Sequence, residues 1–153
     1  MKIGLLKEEK IPSDKRVVLT PKQCKWIAEN TNVDIVVKNS DIRCFPDSDY
    51  SNLGIEVVND ISNCDVLLGV KEVPKEQLIS DKMYFYFSHT IKEQSYNREL
   101  LRKMVQKNIT MVDYEVLKDK NNKRLIGFGR YAGIVGAYNA LLTYGLKSDK
   151  FFL

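Results

Sequence analysis

The stretch Cys64-Asp65-Val66-Leu67-Leu68-Gly69-Val70-Lys71-Glu72-Val73-Pro74 decides the fold when it is set beside Lys82-Met83-Tyr84-Phe85-Tyr86-Phe87-Ser88-His89-Thr90-Ile91-Lys92. Each segment opens with a short apolar run and closes on ionisable groups. Short runs that are apolar on both faces are the mark of buried strands in a largely parallel sheet. In open α/β sheets, ligands bind outside the carboxyl ends of the strands. An amine (Lys71), a carboxylate (Glu72) and the single histidine of the sequence (His89) therefore fall where small-molecule chemistry is expected.

Working outward from these two segments, strands are predicted at residues 2–6, 33–37, 55–58 and 109–114. Thr20-Pro21 starts a helix well, with a hydroxyl at the cap and proline at the first helical position. Cys24, Ile27, Ala28 and Thr31 should share its inner face. A short helix at 46–53 should close at Gly54. Residues 95–107 read as amphipathic, with Leu100, Leu101, Met104 and Val105 inward and Arg98, Glu99, Arg102 and Lys103 outward. Residues 116–126 read as a hairpin around Asn121-Asn122. Residues 130–144 read as a helix apolar round much of its circumference, which calls for cover by a further domain or a second copy. Alternating strands and helices give an α/β fold: a mostly parallel sheet flanked by helices, flavodoxin- or Rossmann-like.

At 153 residues the chain has the size of a single domain. Its 24 basic and 20 acidic residues are mixed along the sequence with no basic block, so a nucleic-acid partner is not expected. No apolar run approaches the ~20 residues of a membrane span, and the charged N-terminus does not resemble a secretory signal. A cytoplasmic location is the resulting expectation. Cys24, Cys44 and Cys64 are widely spaced and accompanied by one histidine, which argues for reduced thiols and against a metal site.

Five side chains stand out on chemical grounds. His89 has an imidazole suited to general acid/base work near neutral pH. Lys71 can bind a carboxylate, or act as a base when buried. Arg16 and Arg124 can each clamp a carboxylate in a bidentate fork. Glu115, just past the strand predicted at 109–114, can orient Lys71 or His89. Lys71, His89 and Glu115 each follow a different apolar strand on one predicted sheet edge. Gly127-Phe128-Gly129-Arg130-Tyr131-Ala132 matches the short dinucleotide fingerprint G-x-G-x-x-A. No long buried strand precedes it, so its glycines are expected to serve close backbone packing instead.

These motifs together resemble a known superfamily: the N-terminal domain shared by alanine dehydrogenase, the proton-translocating transhydrogenases and lysine-forming saccharopine dehydrogenase. The similar segments are Lys2-Ile3-Gly4 through Lys7-Glu8 to Arg16-Val17-Val18-Leu19-Thr20-Pro21, and Val70-Lys71-Glu72-Val73-Pro74. Three others lean toward the saccharopine branch: Phe87-Ser88-His89-Thr90-Ile91-Lys92, Asp113-Tyr114-Glu115, and Arg124 through Gly133.

The resemblance implies that Lys71 and His89 are an acid/base pair, with Glu72 and Glu115 as nearby acids that tune it. It places Arg16, Glu72, Lys92, Glu115, Arg124 and Phe128 in the substrate site, with Arg124 on a dicarboxylate. The implied parent is a two-domain oxidoreductase acting on CH–NH donors, in which this chain is the catalytic or substrate domain. Its cofactor is NAD or NADP, held mainly by a Rossmann domain outside this sequence. Residues 1–130 would form the substrate domain and 131–153 a connector helix toward the missing one, leaving the isolated chain inactive. The implied partners are a small amino-acid or keto-acid substrate, the missing domain and a homo-oligomeric copy. Two alternatives stand beside saccharopine chemistry: an alanine dehydrogenase-like domain, and a stand-alone binding module without chemistry.

Overall fold

A computed structural model describes residues 1–150 and divides them into two units, Met1–Val116 and the segment from Leu117 onward. The first unit is built on six strands: β1 (Lys2–Leu5), β2 (Asp34–Lys38), β3 (Glu56–Val58), β4 (Val66–Lys71), β5 (Met83–Phe87) and β6 (Thr110–Asp113). Their order is β3-β2-β1-β4-β5-β6, and every pairing is parallel. The expected α/β sheet is present. The order reverses between β1 and β4, which creates a switch point at their carboxyl ends.

The sheet buries both faces because its strands are apolar on both. Along β2, Ile35 and Val37 point to one face and Val36 to the other. Ile35 and Val37 join Leu5, Cys24 of α1 (Pro21–Asn30) and Tyr50 of α2 (Asp47–Ser51) in one core. Val36 joins Leu67, Tyr84, Tyr86 and, from α3 (Arg98–Gln106), Leu100 and Met104 in the second.

The helix boundaries follow local chemistry. Thr20 and Gln23 form a reciprocal capping box, with Thr20 N–H donating to Gln23 Oε1 at 2.8 Å and Pro21 at the first position. Gly54, at φ +78°, closes the turn after α2 as expected.

Two inner faces are narrower than the sequence suggests. On α1 the buried or half-buried stripe is Pro21, Cys24 and Ile27, while Ala28 and Thr31 are exposed. On α3 the stripe continues Asn97 through Leu100 and Met104, and Leu101 and Val105 stand 48% and 74% exposed. One helix resting on one sheet face covers a single narrow stripe, at i, i+3 and i+6 on α1 and at i, i+3 and i+7 on α3, and residues turned a further step from that stripe face outward.

The second unit begins with the expected turn. It carries a single antiparallel bridge, Lys118 to Arg124, flanked by Leu125 N–H donating to Leu117 O at 2.9 Å. Its helix, α4 (Gly129–Ser148), runs four residues past the predicted end, because nothing stops it before Asp149 adopts a left-handed conformation at φ 54°. Tyr131, Ile134, Val135, Tyr138, Leu141 and Tyr144 are all exposed. No helix among the described residues is long and apolar enough to cross a membrane.

Candidate active site

Three neighbouring strands deliver three ionisable groups to one edge. Lys71 is the last residue of β4, His89 lies two residues past β5, and Glu115 lies two past β6. Lys71 Nζ sits 3.3 Å from His89 Nε2, and Glu115 Oε2 sits 3.1 Å from His89 Nδ1. Lys92, from the 3₁₀ turn Thr90–Lys92, places Nζ 3.2 Å from the other Glu115 oxygen. The His89 and Glu115 side chains are 21% and 12% exposed, sheltered yet open to a ligand.

The chemistry of the neighbours assigns the imidazole's proton. A lysine ammonium only donates and an ionised carboxylate only accepts. Lys92 Nζ also lies 3.3 Å from His89 Nδ1, but its ammonium has the Glu115 Oε1 acceptor at 3.2 Å, so a neutral His89 accepts at Nε2 from Lys71 and donates from Nδ1 to Glu115 Oε2 at 3.1 Å. Burial pushes the Glu115 carboxyl up, but hydrogen bonds and charge from His89 and Lys92 outweigh it and hold Glu115 below its usual range. Glu115 thus remains an anion that can stabilise an imidazolium.

Backbone features hold this geometry. His89 itself is left-handed, at φ 57°, and its carbonyl accepts from Asn97 Nδ2 at 3.0 Å and from Lys92 N–H at 3.1 Å. Such a conformation persists where surrounding contacts over-determine it. Glu8, 8% exposed, accepts the Val70 N–H at 2.7 Å and the Lys71 N–H at 2.9 Å with its two oxygens. It clamps the end of β4 from the segment after β1, across the switch point. Gly69 makes this possible, since a Cβ there would lie 2.9 Å from Leu6 Cδ1 and 3.3 Å from Glu8 Oε1. Burial raises the Glu8 carboxyl above its usual value, opposed by those two N–H bonds.

The other residues expected in the site make contacts of their own. Arg16 is forked onto Asp14, with Nε 2.9 Å and 3.1 Å from the two carboxylate oxygens. That bond and the nearby Lys71 charge help hold Asp14 below its usual range. Glu72 ion-pairs with Lys10 through one oxygen, and its other oxygen is buried without a hydrogen-bond partner. It lines a cleft of about 280 Å³ with Lys10, Val73, Pro74, Tyr96 and Asn97. Arg124 and Phe128 belong to the second unit, where Arg124 forms the bridge and the Phe128 carbonyl starts α4 by accepting Ala132 N–H at 2.8 Å.

Sequence reasoning passed over Glu8, Asp14, Ser88, Asn97 and Asp113 as members of the site. Asp14 has a local signal in its spacing to Arg16. Ser88 and Asp113 adjoin residues that did stand out. Glu8 has no local signal, because its role depends on β1 lying beside β4.

Gly127–Ala132 does not form a dinucleotide cradle. The helix begins at Gly129 without a preceding strand, and open space surrounds Gly127 and Gly129. The same open space means that these glycines do not serve the close packing expected of them. Among the described residues, no three histidine, cysteine, aspartate or glutamate side chains gather as a metal site.

Comparison with known proteins identifies the family and agrees with the fold. Residues 4–135 match the family model described as alanine dehydrogenase/PNT, N-terminal domain. The chain is 35% identical over 156 residues to alpha-aminoadipic semialdehyde synthase of Arabidopsis thaliana, covering 99% of this chain and 14% of that protein. It is 27% identical over 147 residues to saccharopine dehydrogenase [NAD(+), L-lysine-forming] of Yarrowia lipolytica, covering 93% of this chain and 40% of that protein. The chain therefore spans less than half the length of either relative. Among solved structures, an L-alanine dehydrogenase superposes with a TM-score of 0.66 at 22% identity, over 80% of this chain and 35% of that one. That likeness speaks for the fold alone. With the match spanning most of its length, the chain belongs to the alanine dehydrogenase/PNT N-terminal domain family.

Proposed function

We propose that the chain is the substrate-side domain of an NAD-dependent amino-acid dehydrogenase of the saccharopine type. The reaction would convert saccharopine, NAD+ and water to lysine, 2-oxoglutarate, NADH and a proton. The observation that carries this reading is the Lys71–His89–Glu115 chain across three neighbouring strand ends. The name of one relative, saccharopine dehydrogenase [NAD(+), L-lysine-forming], points the same way.

NAD, held by a part of the parent outside this sequence, supplies the redox chemistry. The residues of this chain bind the substrate and move protons. Lys71 and His89 act as a pair. One takes the proton of the secondary amine as the carbon is oxidised, and the other activates the water that adds to the resulting imine. Glu115 steadies the imidazolium when His89 carries the extra proton. Arg16 and Arg124 hold substrate carboxylates, with Arg124 on the 2-oxoglutarate half. Glu72, Lys92 and Phe128 line the substrate.

Calorimetry on the chain with saccharopine, 2-oxoglutarate, lysine, alanine and pyruvate tests this reading. Saccharopine and 2-oxoglutarate should bind, and Arg124→Ala should weaken 2-oxoglutarate by about tenfold to a hundredfold, the worth of a charged hydrogen-bonded contact. Binding of pyruvate and alanine alone would contradict the saccharopine assignment in favour of alanine dehydrogenase-like chemistry.

A further inference from the structure

We infer that Asp113 is the positioning residue that sets the His89–Glu115 contact, an inference that rests on the acid/base reading of that pair. Asp113 ends β6 and is 7% exposed. One carboxylate oxygen, Oδ2, accepts the hydroxyl of the fully buried Ser88. The other, Oδ1, accepts the Glu115 N–H at 2.8 Å. A single buried carboxylate thus ties the turn after β5, which carries His89, to the turn after β6, which carries Glu115.

The Ser88 end of this link reaches past the histidine. Ser88 Oγ accepts the Thr90 N–H at 3.2 Å and lies 2.8 Å from Thr90 Oγ1. His89 is therefore bracketed by two residues fastened to each other and, through Ser88, to Asp113. Its left-handed backbone is one consequence. The other is that its Nδ1 faces the carboxylate of Glu115, whose own N–H is fixed by the same aspartate. Asp113 makes no contact with the reacting groups of Lys71 or His89, so it acts through the geometry it imposes.

The ring proton of His89 reports that geometry, and the sequence holds no other histidine to confuse the signal. Long-range ¹H–¹⁵N spectra of the full chain at about pH 9, where an ordinary imidazole of pKa ~6.5 is neutral, read which nitrogen carries it. The wild-type chain should show the Nδ1–H form. Asp113→Ala should shift the ring to the Nε2–H form or to a mixture. Asp113→Asn should restore the wild-type pattern, since its amide oxygen accepts the Glu115 N–H and its NH₂ donates to Ser88. Loss of fold stability alone would not move the tautomer.

If Asp113→Ala does not fold, Ser88→Ala decides, since it removes only the link to the histidine turn and should also release the tautomer. A folded Asp113→Ala or Ser88→Ala chain that keeps Nδ1–H overturns the inference. Glu115→Ala, which removes the acceptor, separates the two layers. If it changes the tautomer while the Asp113 and Ser88 variants do not, the positioning role fails and the acid/base pair stands. If Glu115→Ala leaves the tautomer unchanged, the pair itself fails and the inference falls with it.

Discussion

Lys71 Nζ lies 3.3 Å from His89 Nε2, on the opposite side of the ring from Glu115. The imidazole is thereby set between a cation and an anion contributed by the strands on either side of β5. Glu115 lies where it can balance a positive charge on the ring.

Replacing His89 by glutamine should remove the imidazole while preserving a polar side chain. In the full-length protein carrying this domain, His89→Gln should lower turnover by about 10²- to 10⁴-fold, the usual worth of a general acid/base. KM should change much less. Steady-state kinetics check this, and an unchanged turnover number would remove His89 from the mechanism.

Glu115 and Glu8 should make stability depend on pH with opposite signs. The folded pKa of Glu115 lies below its usual value of 4.5, so between the two values the unfolded chain binds more protons and stability rises with pH. That contribution is complete above 4.5 and is lost as pH falls through the folded value. The folded pKa of Glu8 lies above 4.5, so in the window above 4.5 the folded chain binds more protons and stability falls as pH rises. Urea unfolding across this range should show a shallower acid loss in Glu115→Gln than in wild type. Glu8→Gln should remove the decline above 4.5. The same pH profile in all three proteins would contradict both assignments.

The face of α3 offers a packing test. Leu100 and Met104 are 7% and 2% exposed, whereas Val105 is 74% exposed. Leu100→Ala and Met104→Ala should each cost about 2–5 kcal/mol, and Val105→Ala no more than about 0.5 kcal/mol. Denaturant midpoints at constant slope measure the difference, and equal losses would put Val105 in the core after all.

Much of this arrangement was legible in the sequence because it depends on local pattern. Strands apolar on both faces, as in Val66-Leu67-Leu68, require cover on both sides, and that requirement leads directly to a parallel sheet with helices on each face. Lys71, His89 and Glu115 were found because each is the first ionisable side chain beyond such a run or close to it. What escaped was non-local. Glu8 reads as one more charged loop residue until β1 is seen to lie beside β4, where it meets two backbone N–H groups. Leu101 and Val105 look apolar enough to be core, but which arc of a short helix is covered depends on how it rests on the sheet. Glu72 follows Lys71 directly, yet it turns to Lys10 and not to the histidine, because successive residues leaving a strand point to opposite faces.

The most direct test of the account is the response of the single histidine to substrate. On titrating the chain with 2-oxoglutarate or saccharopine, the His89 ring resonances should shift saturably, with the midpoint found by calorimetry. In Lys71→Ala both the shift and the heat should disappear. Saturable binding that leaves the His89 ring unmoved would place the substrate elsewhere and contradict the assignment of the Lys71–His89–Glu115 edge as the active site.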